Sequence, residues 1–182
     1  MVNELGKALA TRIRDRIRDI PDFPQPGIVF KDITPVLAEG ELFHELIDHL
    51  ATTFRDQRID RIAAIESRGF LFGAPLAVAL GVGIAPIRKP GKLPHETRRI
   101  DYALEYGTDS LEAHVDAFHP RERVLLVDDV LATGGTAAGA VSLVHVLGAT
   151  VVASTFIVEL AFLQGRAKLG GLPIVSVLEY RS

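Results

Sequence analysis

Residues 123–139 read RVLLVDDVLATGGTAAG, an apolar run that ends in two adjacent acids and opens into a Thr-Gly-Gly-Thr turn. Positions 124–127 are Val or Leu without interruption, the pattern of a strand buried on both faces of a parallel sheet. Asp128 and Asp129 then stand at its carboxyl end, which in open α/β sheets borders the ligand crevice. Two neighbouring carboxylates there are costly to bury unless cations or hydroxyl donors satisfy them. Beyond them, Gly134 and Gly135 permit backbone angles that other residues avoid, and AAGAVSLVHVLG reads as a helix with Val141, Val144 and Leu147 on one face. Free N–H groups at that helix start, its dipole and the hydroxyls of Thr133 and Thr136 make a pocket for one phosphate. An acid pair suited to a diol beside a phosphate cradle points to a sugar phosphate.

Other nucleotide signatures do not fit. There is no GxxxxGK[ST], so the acids do not complete a P-loop, and Gly81-Val82-Gly83 lacks the third glycine of a dinucleotide fingerprint. The chain has 182 residues and is 48% hydrophobic, enough for a sizeable core and most simply one α/β domain over 1–182. Its net charge of −3 gives no general attraction to nucleic acid or to a membrane surface. It has no Cys, which excludes disulfides and Cys-ligated metals and fits a reducing, cytoplasmic setting. The six His show no paired metal-ligand spacing. Leu5, Leu9, Ile13 and Ile17 recur at helical spacing among arginines that break any signal-peptide core. Residues 69–87 carry no charge, but glycines and prolines divide them into a loop, a helix near 72–80 and a strand near 83–87 rather than a membrane span.

Further segments alternate as strand and helix, which implies a parallel sheet. Helices are expected at the N-terminus and near 41–56, and strands at 61–65, 150–157 and 173–178. Four segments carry candidate chemistry. Glu66-Ser67-Arg68-Gly69 follows an apolar strand and can present N–H groups and a guanidinium to an anion. Arg88, Lys89 and Lys92 lie within five residues after another strand, a charge density suited to a diphosphate. Tyr102, Leu104 and Tyr106 alternate against Glu105, as in a β-hairpin arm. The segment 23–35, FPQPGIVFKDITP, is too rich in Pro for a helix and too apolar for disorder.

The acid pair with its Thr-Gly-Gly-Thr loop resembles the phosphoribosyl diphosphate (PRPP) signature of the type I phosphoribosyltransferases. RKPGKLP, YALEYG, the 23–35 segment, VEL at 158–160 and GRAKL at 165–169 resemble elements of its adenine-using members, in order along nearly the whole chain. The resemblance implies a central, mostly parallel twisted sheet flanked by helices, a small N-terminal hood over about 22–37 and a mobile β-hairpin loop over about 90–112. It implies transfer of the 5-phosphoribosyl group from PRPP to adenine, giving AMP and pyrophosphate for purine salvage. Mg²⁺ would enter with PRPP, held mainly by PRPP and water, and the enzyme would work as a homodimer with small-molecule substrates only.

Carried onto this sequence, the resemblance assigns Asp128 and Asp129 to the ribose hydroxyls and Ala132, Thr133, Gly134, Gly135 and Thr136 to the 5-phosphate. Ser67, Arg68, Arg88, Lys89 and Lys92 fall to pyrophosphate, with a non-proline cis peptide at Glu66–Ser67 or nearby. Glu105 assists proton handling, beside Tyr106. Val29, Phe30 and Lys31 line the base site: the aromatic stacks on adenine, backbone groups read N1 and N6, and Leu160 covers the other face. Lys31 stands where the family often has Arg, a difference that backbone reading of the base survives. Two alternatives stay open on the sequence alone, a relative using another base and a PRPP-sensing regulator without turnover.

Overall fold

The computed structural model describes residues 4–103 and 107–182, in two compact units, 1–53 and 54–182. The first contains α1 (Glu4–Arg16), the antiparallel pair β1 (Arg18–Pro21) and β2 (Val29–Asp32), a short α2 (Thr34–Ala38) and most of α3 (Gly40–Phe54). Leu9 and Ile13 are buried along α1, as their spacing predicts, whereas Ile17 falls just beyond its last turn. Ion pairs at 2.5 Å tie α1 to its neighbours, Arg12 to Glu45 of α3 and Arg16 to Glu39 at the end of α2. The Pro-rich 23–35 segment is more regular than its composition implies. It supplies β2, and Thr34-Pro35 opens α2 because proline at the first helical positions forfeits no helical hydrogen bond. Asp32 Oδ1 accepts the Thr34 N–H at 2.9 Å and fixes that entry, holding its own pKa below the usual carboxylate range chiefly through this bond.

The second unit contains β3 (Arg61–Ile65), α4 (Gly69–Leu80), β4 (Gly83–Ile87), the hairpin β5 (Thr97–Ala103) and β6 (Thr108–His114), β7 (Arg123–Leu131), α5 (Gly135–Val146), β8 (Thr150–Leu160) and β9 (Ile174–Tyr180). Five of these strands form one sheet in the order β4-β3-β7-β8-β9, with every neighbouring pair parallel. Val124, Leu125, Leu126 and Val127 are fully buried in its centre, as the apolar run predicts. From β3 the chain steps outward to the edge strand β4, then returns to place β7 on the other side of β3. The order therefore reverses between β3 and β7, the point where ligands bind in open α/β sheets.

Three boundaries differ from the sequence reading with a clear cause, besides shifts of one or two residues at α3 and β9. Strand β7 runs on to Leu131 because β8 keeps pairing with it, Val130 with Val158 and Leu131 with Glu159, after its pairing with β3 has stopped at Val127. Strand β8 lengthens for the same reason. Helix α4 starts at Gly69 rather than near 72 and accommodates Pro75 inside it. That early start rests on glycine, since a Cβ on Gly69 would stand 2.8 Å from the Val127 carbonyl oxygen.

Candidate active site

Because its pairing with β3 ends at Val127, β7 loses its partner on that side where the acids begin, and their side chains border the open switch point. Asp129 is buried at 4% exposure and its Oδ2 accepts a hydrogen bond from Arg68 Nε, so the loop after β3 and the end of β7 are joined by an ion pair. Asp128 Oδ1 accepts the Asp129 N–H at 2.9 Å. Its carboxyl is nonetheless pushed well above the ordinary range, first by burial and then by the negative charge of Asp129, with Arg68 too weak a counterweight. Asp128 is thus the unneutralised member of the pair, positioned to take hydroxyl donors.

Directly after the acids, Asp128, Val130, Leu131 and residues 132–137 line a cavity of about 90 Å³ at the start of α5. Gly134 sits just before that helix at φ 78°, with no side chain capping the first turn, so the helix-start N–H groups face the cavity. A Cβ on Gly134 would lie 2.3 Å from the Gly165 carbonyl oxygen, a backbone-to-backbone approach that only glycine allows. Ala132, Thr133, Gly134, Gly135 and Thr136 therefore come together around one cavity next to Asp128, with helix-start N–H groups able to receive an anion.

The peptide bond between Glu66 and Ser67 is cis, at the position expected. Ser67 is exposed there, while Glu66 turns back toward the basic loop. Glu66 accepts from Arg88 Nε at 3.1 Å and from the Lys89 backbone N–H at 3.0 Å. Burial disfavours its charge, but these donors outweigh that and hold its pKa low. Lys89 Nζ is paired with Asp109 and lies 3.0 Å from Tyr102 Oη. Only Lys92 of the three cations projects openly to solvent with no ion pair among the described residues. Two carboxylates, Glu66 and Asp109, thus hold Arg88 and Lys89 in place.

Several residues at this site escape sequence reasoning. Tyr102 reads only as part of an alternation, yet its hydroxyl joins Lys89, Asp109 at 3.1 Å and Thr136 of the cradle at 3.3 Å, and its ring packs where a Cβ on Gly139 would stand. Glu112 is buried in β6 and accepts the Gly91 N–H at 2.9 Å, shaping the basic loop. A lone acid inside the otherwise buried run 110–113 is the available signal. A Cβ on Gly69 would also stand 3.1 Å from Asp128 Oδ1, so the floor beneath the acid pair is glycine. Glu105 and Tyr106 lie outside the described residues.

Val29, Phe30 and Lys31 are on β2 of the first unit, and Leu160 ends β8 of the second. The Phe30 ring meets Phe23 edge-on at 5.2 Å, Val29 is half exposed, and Lys31 is paired with Asp19 at 2.7 Å. That pairing directs the Lys31 side chain to β1. Among the described residues β2 has a strand, β1, on one side only.

Residues 36–168 match the phosphoribosyl transferase domain family. An adenine phosphoribosyltransferase of Maridesulfovibrio salexigens is 59% identical over 167 residues, covering 92% of this chain and 98% of that protein. The chain belongs to the adenine phosphoribosyltransferase family. The crystal structure of the family member from Thermoanaerobacter pseudethanolicus superposes with a TM-score of 0.92 at 54% identity, over 94% of this chain and 99% of that one. The family member from Saccharomyces cerevisiae, solved with an imino-altritol bisphosphate and adenine, gives 0.88 at 43% identity over 94% and 99%. The five-stranded parallel sheet flanked by helices is the type I phosphoribosyltransferase fold.

Proposed function

We propose that this enzyme transfers the 5-phosphoribosyl group of PRPP to N9 of adenine, releasing AMP and pyrophosphate, as a cytoplasmic salvage enzyme. The observation that carries this is the acid pair and the 90 Å³ cradle lying side by side at the switch point. That juxtaposition matches ribose hydroxyls one carbon chain away from a 5-phosphate. In the transition state positive charge develops on the ribose and negative charge on the departing pyrophosphate. Asp128 and Asp129 anchor the hydroxyls beneath the developing cation, and Arg68, Arg88, Lys89 and Lys92 face the leaving group with Ser67. Glu105 and Tyr106 take the base-side roles that the family assigns them. By the same family pattern Phe30 stacks on adenine and Leu160 covers its other face; a backbone N–H toward N1 and a carbonyl toward the 6-amino group select adenine over 6-oxo purines.

The donor set fits Mg²⁺ carried by PRPP rather than caged by protein. No three metal-ligating side chains converge among the described residues, and Asp128 supplies one hard oxygen donor without a cation of its own. When bound, the ion neutralises charge on the diphosphate. The test of the reaction is to supply PRPP and Mg²⁺ with adenine, hypoxanthine, guanine, xanthine or orotate and follow nucleotide and pyrophosphate. AMP from adenine alone is expected; a preferred 6-oxo purine, or PRPP binding without product, contradicts the assignment.

We further infer a homodimer. Helix α4 carries no charged residue, and its Leu71 and Val78 are 47% and 83% exposed, next in sequence to edge strand β4, where Ile84 is also exposed. Light scattering is expected to give twice 19.7 kDa, and Val78→Asp to shift it toward that single-chain mass. A fully active, monomeric wild type rules the dimer out.

A further inference from the structure

The phosphate cradle is held from behind by residues that line no part of it. Gly165 opens a 3₁₀ turn, Gly165–Leu169, and a Cβ on it would stand 2.2 Å from the Ala132 carbonyl oxygen and 3.0 Å from the Gly134 nitrogen. The turn therefore presses its backbone directly on the loop. The next residue, Arg166, donates Nε to Glu159 Oε1 at 2.5 Å and Nη2 to Glu159 Oε2 at 2.6 Å. Its Nη1 donates to the Ile174 carbonyl at 3.2 Å, and Ser176 Oγ donates to Glu159 Oε2 at 2.6 Å. Glu159 is 3% exposed, so this fork is anchored in the sheet. Across the ladder Glu159 pairs with Leu131, the residue that precedes the cradle. The contacts close a ring: Leu131 to Glu159 by the ladder, Glu159 to Arg166 by the fork, Arg166 to Gly165 by the chain, and Gly165 back to Ala132 and Gly134.

We propose that Glu159 and Arg166 are positioning residues for the 5-phosphate, acting through Gly165 on the loop; this rests on the reading of residues 132–136 as the 5-phosphate site. Glu159 is buried but the Arg166 side chain is half exposed, and an ion pair open to solvent on one side adds little net stability. What the planar, two-pronged Arg–carboxylate contact supplies is fixed geometry, which Lys does not reproduce. A cradle for a small anion needs its N–H groups held to a fraction of an ångström. The fork sits where that requirement is transmitted, and its neighbour Leu160 gives a built-in contrast, since any disturbance that spreads along β8 registers at the base instead.

The test uses full-length Glu159→Gln, Arg166→Lys and their double variant, with KM for PRPP and for adenine, kcat, melting temperature and calorimetric affinity for ribose 5-phosphate. Each single variant is expected to raise the PRPP KM about tenfold and to weaken ribose 5-phosphate by a similar factor, with the adenine KM within twofold of wild type. The double variant is expected to be no worse than the weaker single, because the pair acts as a unit. Ser176→Ala, which removes one donor to Glu159, gives a smaller change in the same direction. A lower melting temperature with unchanged PRPP KM, or a change confined to adenine, overturns the proposal. If wild type does not bind ribose 5-phosphate at all, the phosphate-site reading itself fails; if wild type binds it and both variants bind it equally, only the positioning role fails.

Discussion

Replacing Asp128 with Asn is expected to raise the melting temperature of the ligand-free enzyme at pH 8 while lowering kcat/KM on the order of 100-fold. The two effects share one cause. Burial and the charge of Asp129 lift the Asp128 pKa in the folded chain above its unfolded value. A carboxyl shifted upward destabilises the fold fully above the folded pKa, progressively less as pH falls through it, and not at all below the unfolded value of about 4. Asn keeps an oxygen to accept the Asp129 N–H but removes the charge, so the stabilisation should be largest at alkaline pH and vanish toward pH 4. Turnover falls because the ribose hydroxyls lose a charged acceptor beneath the developing cation. Thermal melts across pH 4–9 check this; a variant less stable than wild type at pH 8 contradicts the electrostatic account of the pair.

Gly134→Ala is expected to remove the cradle. Alanine at φ 78° is strained by about 1 kcal/mol, and its Cβ would lie 2.3 Å from the Gly165 carbonyl oxygen, so the loop must separate from the turn behind it. The combined cost is about 2–4 kcal/mol, a fall in melting temperature of roughly 5–15 °C for a chain of this size. The PRPP KM should rise more than tenfold. Gly81→Ala separates strain from collision: Gly81 has a similar φ of 70° but nothing within 4 Å of an added Cβ. It should lose only the strain energy and keep the wild-type PRPP KM. If both alanines behave alike in melts and kinetics, close packing of the loop is not what shapes the site.

Much of this architecture was legible because it depends on local pattern. The run 124–127 has the pattern of an inner strand, and the two acids with the Gly pair after them mark a strand end leading to a helix start. Strand 61–65 falls where its apolar run places it, and strand 83–87 starts where Gly81 and Gly83 end the helix before it. What stayed hidden depends on partners distant in sequence. Nothing near Asp128 discloses that β8 continues to pair with β7 beyond Val127 and carries it on to Leu131. Arg88 and Lys89 read as free cations because Glu66 and Asp109, 22 and 20 residues away, are not visible as their partners in the chain. The hydroxyl of Tyr102 reaches Thr136 across 34 residues, and nothing in VEL or GRAKL discloses that Glu159 and Arg166 pair until β8 and the turn after it fold together. The Pro-rich segment misled in the other direction, since its prolines sit where strand and helix ends tolerate them.

The most direct test of the site is calorimetric binding of AMP, 2′-deoxy-AMP and adenosine to the wild-type enzyme. The acid pair predicts that loss of the 2′-hydroxyl weakens binding about tenfold or more, as for a hydrogen bond to a charged acceptor. The cradle predicts that loss of the phosphate weakens it further still. If all three bind alike, neither the carboxylates nor the loop is reading the phosphoribosyl group.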